Sequence, residues 1–391
     1  MNPQKIVDHV FKVGAIDWNR RLFDSLIPLP EGTSYNAYIV QGSDKTALID
    51  TVDFQKVEIL MGQLEQFGNI DYIIANHAEQ DHSGSIPEVL SRFPNAKVVT
   101  NKKCKEMLMD LLMIDEQAFY LVDEGDTLDL GGKTLKFLLT PWVHWPETMS
   151  TYLVEDEILF SCDFFGAHIA TADLFAHKKP EVYSEAKRYY AEIMMPFRAK
   201  IRKNIEKVSE YPIKFIAPSH GPVYNHPEFI MDAYKDWVSE RTENKVLVLY
   251  VSMHGSVEKM VDYFAGELAN LGIEVKMYDM AVTDIGQVAI DLVDSTTLVL
   301  GTPVVLNSAH PNVVYGAYLA NILQPKIKYG AIISSYGWGG KVIEKFKDEL
   351  DKVKVEWLEP VLTKGHPVKE DFEMLTKLAQ EIAEKHKTAN N

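Results

Sequence analysis

The sequence predicts a two-domain α/β protein, in which an αββα sandwich precedes a five-stranded, doubly wound parallel sheet. The chain has 391 residues, which is more than one ordinary hydrophobic core requires. Its first part mixes short apolar strands with helical patterns, whereas its second part alternates strictly between strand and helix. The polar segment Ser239–Asn244 separates the two parts. We therefore expect domains at residues 1–243 and 244–391.

The first domain is expected to contain short strands that alternate with helices. Its apolar runs predict strands at Asn36–Val40, Thr46–Thr51, Ile70–Asn76 and Ala96–Thr100, and a hairpin around Glu155–Glu157. Helical spacing predicts helices at Val57–Gln66 and Ala186–Met195. This mixture is typical of two sheets packed back to back with helices outside.

The second domain begins with a continuous apolar strand, Lys245–Val251, of the kind that is buried on both faces in parallel sheets. An amphipathic helix, Glu258–Leu271, follows, and Gly272 ends it. Further strands are expected at Ile273–Tyr278, Thr296–Leu300, Tyr329–Ser334 and Val355–Pro360, with helices at Val313–Leu323 and Val342–Val353. We expect only the tail, residues 385–391, to be frayed.

Composition excludes several classes of protein. Hydrophobic residues make up 46% of the chain and charged residues 25%, which argues against disorder. No apolar stretch is long enough to span a membrane, and the N-terminus does not have the design of a signal peptide, so a cytoplasmic location is expected. A formal charge of -16 argues against nucleic-acid binding. Cys104 and Cys162 form no Cys-x-x-Cys motif, so we expect buried thiols in a reducing compartment.

The segment His77-Ala78-Glu79-Gln80-Asp81-His82 directly follows a predicted strand and contains four potential metal ligands. Imidazole binds zinc and iron alike, but each carboxylate oxygen shifts the preference toward harder, redox-active metals such as iron or manganese. Charged side chains are rarely buried together without a counter-ion. The segment therefore predicts a metal site at the end of a strand.

Three further candidate ligands each follow an apolar run: His144 after Thr134–Val143, Asp163 after Glu157–Cys162 and His220 after Lys214–Ser219. A single histidine or aspartate after a strand is ordinary loop chemistry. All three at strand ends, downstream of the dense ligand segment, indicate one shared metal site.

The order H-x-[EH]-x-D-H, then a distant His, an Asp and a His, resembles the metallo-β-lactamase superfamily. Most hydrolases of that superfamily have a second histidine where this chain has Glu79. The glutamate variant followed by a flavodoxin-like half resembles the flavodiiron proteins, also called A-type flavoproteins. The segments Gly14–Asn19 and Thr33–Tyr38 extend this resemblance to nearly the whole chain. It implies a metallo-β-lactamase-like diiron domain and a flavodoxin-like domain that binds flavin mononucleotide (FMN).

The resemblance also implies roles for individual residues. One iron would be bound by His77, Glu79 and His144, the other by Asp81, His82 and His220, and Asp163 would bridge them. In some members of the family the histidine that corresponds to His82 is not a ligand. Two candidate catalytic residues, His168 and Tyr189, match positions near the metals, where they could accept hydrogen bonds from ligands or supply protons.

Three segments at strand ends of the second domain resemble an FMN site, because ligands of doubly wound sheets bind at the carboxyl ends of the strands. The first opens a helix, whose N–H groups suit a phosphate. It departs from the flavodoxin pattern T-x-T-G-x-T at His254 and Val257. Glycines and aromatics in the others permit close approach and stacking on the flavin ring. The candidate residues are Ser252, Met253, His254, Gly255, Ser256, Thr302, Pro303, Val304, Asn307, Ser335, Tyr336, Gly337, Trp338 and Gly339.

Reducing dioxygen to water consumes more electrons than a pair of ferrous ions releases, so a diiron site benefits from a nearby electron reservoir such as reduced flavin. We therefore expect an oxidoreductase that reduces dioxygen to water, nitric oxide to nitrous oxide, or both. Two alternatives are a zinc-dependent hydrolase of the metallo-β-lactamase type, and an electron-transfer module with a vestigial metal site. The residues leave the preference between the two gases open.

Partners are expected from the resemblance alone. No rubredoxin or flavin-reductase segment follows Asn391, so we expect a separate electron donor, with rubredoxin first and a reduced deazaflavin coenzyme as the alternative. The smallest active unit is expected to be a head-to-tail homodimer, in which one chain's flavin lies beside the partner's metals, or a dimer of such dimers.

Overall fold

The computed structural model describes residues 2–389 of the chain. These residues divide into two compact units, Met1–Val238 and Ser239–Asn391. Among the described residues, no helix combines the length and the hydropathy that crossing a membrane would require.

The first unit contains two large sheets and a small two-stranded ribbon. Its strands are β1 Gln4–Val7, β2 Val10–Asp17, β3 Leu22–Phe23, β4 Ile27–Pro28, β5 Thr33–Gln41, β6 Thr46–Ile49, β7 Tyr72–Ile74, β8 Lys97–Thr100, β9 Phe119–Leu121, β10 Thr127–Asp129, β11 Thr134–Leu139, β12 Met149–Leu153, β13 Ile158–Cys162 and β14 Phe215–Pro218. One sheet has the order β1-β2-β5-β6-β7-β8-β9, the other has β10 to β14 in chain order, and β3 pairs with β4. The predicted hairpin around Glu155–Glu157 is confirmed, because β12 pairs antiparallel with β13 across it.

Seven helices accompany these strands in the described part of the unit. They are α1 Val57–Leu64, α2 Gln80–Ser83, α3 Ile86–Arg92, α4 Lys102–Leu112, α5 Pro180–Tyr189, α6 Arg198–Val208 and α7 Pro227–Trp237. The helix predicted at Ala186–Met195 is instead the end of α5 followed by a π-helical turn, Tyr190–Met194. Such π turns occur frequently at functional sites.

The two faces of the seven-stranded sheet bury different partners, because successive side chains on a strand point to opposite faces. On one face, Ile39 and Ile73 pack with Leu60 of α1 and Leu108 of α4. On the other face, residues such as Val40 pack with side chains of the five-stranded sheet. This is the predicted αββα arrangement.

The topology brings strand ends together. β13 and β14 are parallel, and β11 runs in the same direction because β12 is antiparallel to both of its neighbours. In the other sheet, β6, β7 and β8 are mutually parallel. The candidate ligands predicted from the sequence lie in the segments that follow β7, β11, β13 and β14. These segments therefore begin at the carboxyl ends of their strands.

The second unit is a doubly wound parallel sheet with the order β16-β15-β17-β19-β20. This is the flavodoxin-like strand order. Its strands are β15 Glu243–Tyr250, β16 Glu274–Asp279, β17 Ser295–Val305, β18 Ser308–Ala309, β19 Tyr329–Tyr336, β20 Glu356–Trp357 and β21 Val361–Lys364. Its helices are α8 Ser256–Asn270, α9 Ile285–Leu292, α10 Pro311–Leu323, α11 Val342–Glu349 and α12 Lys369–Ala389.

Three expectations about this unit were wrong. The strand predicted at Val355–Pro360 is shorter, because only β20, Glu356–Trp357, lies within that range, and β21 begins after Pro360, which has no N–H to donate to a ladder. The helix predicted to reach Val353 ends at Glu349. The tail is not frayed as far as it is described, because α12 continues to Ala389, and residues 390 and 391 lie outside the described residues.

His386 is buried in α12. Its Nδ1 and Nε2 atoms lie 2.8 Å from Asn244 Oδ1 and 2.7 Å from Thr297 Oγ1, so the imidazole links the last helix to β15 and β17. Burial, and then the positive charge of Lys328, lower the pKa of His386 to about 4. The sequence did not indicate that His386 is buried, because the hydrogen-bond partners of His386 are over 80 residues away in the chain.

We predict that His386 makes the second unit sensitive to acid. In the unfolded chain the imidazole takes up a proton below about pH 6.5, whereas in the folded chain its pKa is about 4. The unfolded state therefore binds the proton first, and the free energy of unfolding falls as the pH drops through this window. Between pH 7 and pH 5 the group should remove about 2 kcal/mol.

Urea unfolding of wild type and His386→Gln at both pH values measures this loss, and the variant should lack it. His226→Gln, which alters an exposed histidine, is the control. Equal pH dependence in wild type and His386→Gln would contradict the prediction.

Candidate metal centre

The structure brings all seven predicted metal ligands together in two adjacent groups. One group is His77, Glu79, His144 and Asp163, the other is Asp81, His82 and His220, and within each group the ligand atoms lie within 4.8 Å of one another. Each ligand lies in a segment that follows a strand, namely β7, β11, β13 or β14. The exposed fraction of these side chains does not exceed 16%, so the cluster is almost entirely shielded from solvent.

The first group surrounds one point. Oε2 of Glu79 lies 3.1 Å from Nε2 of His77 and 3.0 Å from Nε2 of His144. Oδ2 of Asp163 lies 3.5 Å from each of the same two nitrogen atoms. Two imidazole nitrogens and two carboxylate oxygens thus face one another, which is a donor set suited to a divalent metal ion.

The second group surrounds a neighbouring point. Oδ2 of Asp81 lies 3.3 Å from Nε2 of His82 and 3.1 Å from Nε2 of His220. The other oxygen of Asp163, Oδ1, lies 2.9 Å from Nε2 of His82 and 3.5 Å from Nε2 of His220. The two oxygens of Asp163 therefore face different groups, as a bridging carboxylate requires.

The charges of these residues fit cations. Both carboxylate oxygens of Asp81 and of Asp163 are buried, and among residues 2–389 none receives a hydrogen bond of acceptable geometry. Burial alone would lower the pKa of His82 and of His144, but the carboxylates raise both to about 9. Buried charge is costly unless it is paired. An electrostatic field that holds protons on imidazoles so firmly will also hold metal ions.

Two of the clustered histidines have acceptors for their second ring nitrogen. His77 Nδ1 donates to Oε1 of Glu147 across 2.7 Å, and His220 Nδ1 donates to the Ser34 carbonyl oxygen across 2.7 Å. Glu147 is 3% exposed and also accepts from the Ala78 N–H. Such contacts fix the ring orientation and tautomer of a metal-bound imidazole. Sequence reasoning missed Glu147, although it lies only three residues after His144.

The segment Thr33–Tyr38, which the sequence offered only as a point of resemblance, braces the His220 turn. Asn36 Nδ2 donates to the carbonyls of Pro218 and Gly221, and the Tyr38 hydroxyl donates to Pro218. The Gly221 N–H in turn donates to the Ser34 hydroxyl. Gly221 has a φ of +83°, a conformation that L side chains rarely adopt. These contacts stabilise a turn whose backbone conformation at Gly221 would be strained for any residue with a side chain.

The ligand segment after β7 is braced by the end of β6. Asp50 accepts from the backbone and the side-chain amide of Asn76, across 2.8 and 2.9 Å. The Thr51 hydroxyl and N–H both donate to the His82 carbonyl. These bonds fix the backbone on each side of the dense ligand segment.

His168 and Tyr189 both lie beside the second group. The ring centroids of His168 and His220 are 4.6 Å apart, and Tyr189 contacts His168 edge to face at 4.8 Å. Burial and then His220 hold the pKa of His168 well below its ordinary value, whereas burial and then Asp163 raise the pKa of Tyr189. His168 Nδ1 forms a 2.9 Å hydrogen bond with Thr33. Their catalytic roles stay predictions.

In the second unit, the first predicted flavin segment follows β15. The third begins with Ser335 and Tyr336, the last two residues of β19, and continues beyond that strand. Because β15, β17 and β19 are parallel, these segments share one edge of the sheet. α8 begins at Ser256 and has 15 residues, and the N–H groups at the N-terminus of a helix suit a phosphate. One of them, the Glu258 N–H, already donates to the Ser252 hydroxyl across 3.2 Å. Met253 and Trp338 are exposed at this edge, where apolar side chains could cover a flavin ring. These features fit FMN.

The second predicted flavin segment, Gly301–Asn307, is not a simple loop. β17 continues through Val305 and pairs with β18 in a hairpin whose turn residues, Leu306 and Asn307, have positive φ. Thr302 is buried, and its hydroxyl accepts from the His310 N–H and donates to the Pro303 carbonyl. The Thr302 side chain therefore stabilises the hairpin and is not free to contact a ligand.

A further segment at this edge was missed. β21 is also parallel to β19, and the residues after it place His366 3.0 Å from Lys259 Nζ and 3.4 Å from Ser256 Oγ. His366 is not among the residues selected from the sequence, because β21 was not recognised as a separate strand. Ligands of doubly wound sheets bind at the carboxyl ends of strands, so recognising β21 as a strand would have identified His366 as a candidate.

Comparisons with known proteins agree with this architecture. The model of the ODP family of β-lactamases matches residues 33–221. A nitric oxide reductase of Moorella thermoacetica is 33% identical over 98% of this chain and 99% of its own length. A coenzyme F420H2 oxidase of Methanothermobacter marburgensis is 36% identical over 79% of this chain and 80% of its own.

Two solved structures match nearly the whole chain. The rubredoxin:oxygen oxidoreductase of Desulfovibrio gigas superposes with a TM-score of 0.95 at 29% identity, covering 99% of both chains. The flavodiiron protein of Giardia intestinalis superposes with a TM-score of 0.93 at 28% identity, covering 99% of this chain and 97% of its own.

We predict that Glu147 strengthens metal binding through His77. Glu147→Ala removes the acceptor of the His77 Nδ1–H, and loss of such an acceptor typically weakens metal affinity by about 10- to 100-fold. Glu147→Gln keeps an acceptor oxygen but removes the charge, so its loss should be smaller. Chelator competition on the metal-loaded protein measures both affinities.

Glu106→Gln, which alters an exposed carboxylate on α4, is the matched control and should not change the affinity. Unchanged metal affinity in Glu147→Ala would show that the contact does not act on the metals.

Proposed function

The chain belongs to the flavodiiron protein family, and we propose that it is an oxidoreductase that reduces dioxygen to water, nitric oxide to nitrous oxide, or both. A pair of non-haem irons supplies the site that binds the gas, and FMN supplies electrons to it. Relatives named for each reaction, an oxygen oxidoreductase and a nitric oxide reductase, support both halves of the proposal.

The observation that carries the proposal is the position of Asp163. Its two oxygens face the two ligand groups separately, which supports a metal pair bridged by one carboxylate. We assign His77, Glu79 and His144 to one iron and Asp81, His82 and His220 to the other. His82 is included because its Nε2 faces Asp81 and Asp163, at 3.3 and 2.9 Å.

The donor set supports iron over zinc. Three carboxylates, Glu79, Asp81 and Asp163, lie among the ligands, and oxygen donors favour harder, redox-active ions. When Asp163 is counted for both metals, each metal would have four side-chain ligands, fewer than the six of an octahedral site, so a position would remain for a small gaseous ligand. His168 and Tyr189 are proposed to position or protonate the bound gas, because both are buried beside the second group.

We assign FMN to the second unit. Its phosphate would be held by the N-terminus of α8 with Ser252, Met253, His254, Gly255 and Ser256, and its ring by the hairpin residues Pro303, Val304 and Asn307 and the segment Ser335–Gly339. Thr302 would contribute only through its backbone. The metal centre and the flavin edge each lie within one compact unit, which supports a division of the two cofactors between the units.

The electron donor is proposed to be a separate protein or coenzyme. Rubredoxin is the first candidate and a reduced deazaflavin coenzyme the second, since relatives are named for each. We propose a cytoplasmic location, which the free, buried thiols of Cys104 and Cys162 support. The smallest active unit is proposed to be a head-to-tail homodimer, alone or within a dimer of dimers, because an isologous interface would complete both sites at once.

The first test is Asp163→Asn, which keeps the size of the side chain and removes the charge shared by the two groups. We expect loss of at least one iron per chain and of nearly all gas consumption, while FMN binding persists in the other unit. Iron analysis, the visible spectrum, and parallel dioxygen and nitric oxide electrode assays on photoreduced protein measure these outcomes.

Asp173→Asn, which alters a carboxylate exposed on the surface of the same unit, is the control and should retain iron and turnover. Normal turnover by Asp163→Asn would overturn the ligand assignment. Stoichiometric zinc together with hydrolase activity in iron-replete protein would favour the zinc-hydrolase alternative.

A second test concerns the flavin unit by itself. A fragment from about residue 243 contains the complete five-position sheet and should fold independently and bind FMN. FMN fluorescence quenching measures the binding, and riboflavin is the control, because it lacks the phosphate that the α8 N-terminus should hold. A folded fragment that binds neither flavin would contradict the assignment of the flavin segments.

A further inference from the structure

The layer between the two sheets of the first unit contains a lysine. Lys12 lies in β2 and is 2% exposed. Side chains alternate between the two faces of a strand, so Lys12 shares a face with Val10, which packs between the sheets. Among residues 2–389, no acidic side chain forms an ion pair with Lys12, and lysine is almost never buried without such a partner. A buried charge of this kind is a candidate for a functional role.

The ammonium group of Lys12 donates to the turn that carries His220. Its Nζ lies 3.1 Å from the carbonyl oxygen of Gly221, and Asn36 Nδ2 donates to the same oxygen across 2.7 Å. Tyr38, which pairs with Lys12 across β2 and β5, donates its hydroxyl to the carbonyl at the other end of the turn. Of these three donors, Lys12 is the charged one. It therefore places a positive charge beside the residue that follows a metal ligand.

Stability does not account for a lysine at this position. Burial lowers the pKa of Lys12 to about 8, whereas in the unfolded chain the group keeps its proton up to the ordinary pKa of a lysine. At pH 7 the charge is therefore buried at a cost to the free energy of folding. A methionine has a similar length and would fill the same space between the sheets without this cost.

We propose that Lys12 is a positioning residue of the metal centre, which holds the turn of His220 and whose charge favours the reduced state of the metals. The inference rests on the proposed diiron function and adds to it a residue that acts through Gly221. A nearby positive charge opposes the additional positive charge that oxidation creates on a metal, so it stabilises the reduced form. Metals that are easier to reduce draw electrons from the flavin more completely.

The effect should be large enough to measure. A unit charge at a separation of about 10 Å, in a medium with a dielectric constant of about 20, changes an equilibrium constant by about tenfold. Salt screens buried charges much less than exposed ones. Lys12 is buried, and its bond to Gly221 fixes the place of the charge, so neither solvent nor side-chain motion averages the effect away.

The test compares wild type with Lys12→Met, both loaded with iron and FMN. A redox titration at pH 6.5, followed by electron paramagnetic resonance of the iron pair, measures the reduction potential. We expect the variant to have the lower potential, by the equivalent of about a tenfold change in the equilibrium constant for reduction. Lys5→Met, which alters an exposed lysine on the neighbouring strand β1, is the control and should leave the potential unchanged.

The pH separates the charge of Lys12 from a merely structural role. At pH 9.5, above its pKa of about 8, Lys12 is mostly neutral in wild type, so the potentials of wild type and Lys12→Met should converge. The residues that pair with Lys12 do not interfere. Gln4 has no titratable group, and burial keeps the pKa of Tyr38 well above its ordinary value, so its hydroxyl stays neutral.

Two further measurements make the result decisive. Urea unfolding of the metal-free chains at pH 6.5 shows whether the variant is folded, and Lys12→Met should need more urea than wild type because the buried charge is gone. Lys12→Gln removes the charge but keeps an N–H donor, so it should have the same lowered potential. Its potential is also measured if Lys12→Met does not retain iron.

The outcomes distinguish this inference from the proposed function. Equal potentials of wild type and Lys12→Met at pH 6.5, or a difference that persists unchanged at pH 9.5, overturn the role of the charge. Loss of iron from both folded variants also overturns it and assigns Lys12 to holding the turn alone. None of these results affects the diiron function, which the iron content and gas consumption of wild type and Asp163→Asn test independently.

Discussion

The buried charge around Asp163 is the constraint on which the rest of the first unit depends. Three carboxylates and four imidazoles lie within two touching groups, almost without solvent. Repulsion between the carboxylates would make this arrangement unstable unless cations or protons lay between them. The raised pKa values of His82 and His144 show how strongly the cluster attracts positive charge. Metal ions satisfy this demand, and Asp163 is placed to share its charge between two of them.

Because the cluster is costly to assemble, its ligands must be held in place before the metals bind. The chain achieves this with ends of strands, which have little freedom, and with hydrogen bonds from neighbouring strands. Asp50 and Thr51 fix the segment after β7, and Ser34, Asn36 and Tyr38 fix the turn that carries His220. Pre-organisation of this kind lets binding energy go to the metal rather than to ordering the loops.

The sequence predicted the parts of the molecule that follow local rules. His77, His144, Asp163 and His220 could be found because a titratable side chain after an apolar run is visible in the chain itself. Ser34 could not be found, since it accepts the His220 hydrogen bond through its backbone carbonyl, which every residue possesses. Partners that meet only after folding, such as those of His386, are equally invisible to local patterns.

The flavin segments show the same limit in another form. Gly301–Asn307 has the composition of a loop, yet β18 pairs with the end of β17 and turns most of the segment into a hairpin. Pairing depends on residues on both strands, so composition at one position does not decide it. The hairpin matters for the chemistry, because it engages the hydroxyl of Thr302 in hydrogen bonds with Pro303 and His310.

The two sites face opposite requirements, and their surroundings differ accordingly. A metal cluster that activates a gas must exclude water, because the buried carboxylates and imidazoles act most strongly on the metals where solvent does not screen them. A flavin that receives electrons from one protein and passes them on must lie near a surface. Met253, Leu306 and Trp338 are accordingly exposed at the flavin edge, whereas the metal ligands are not.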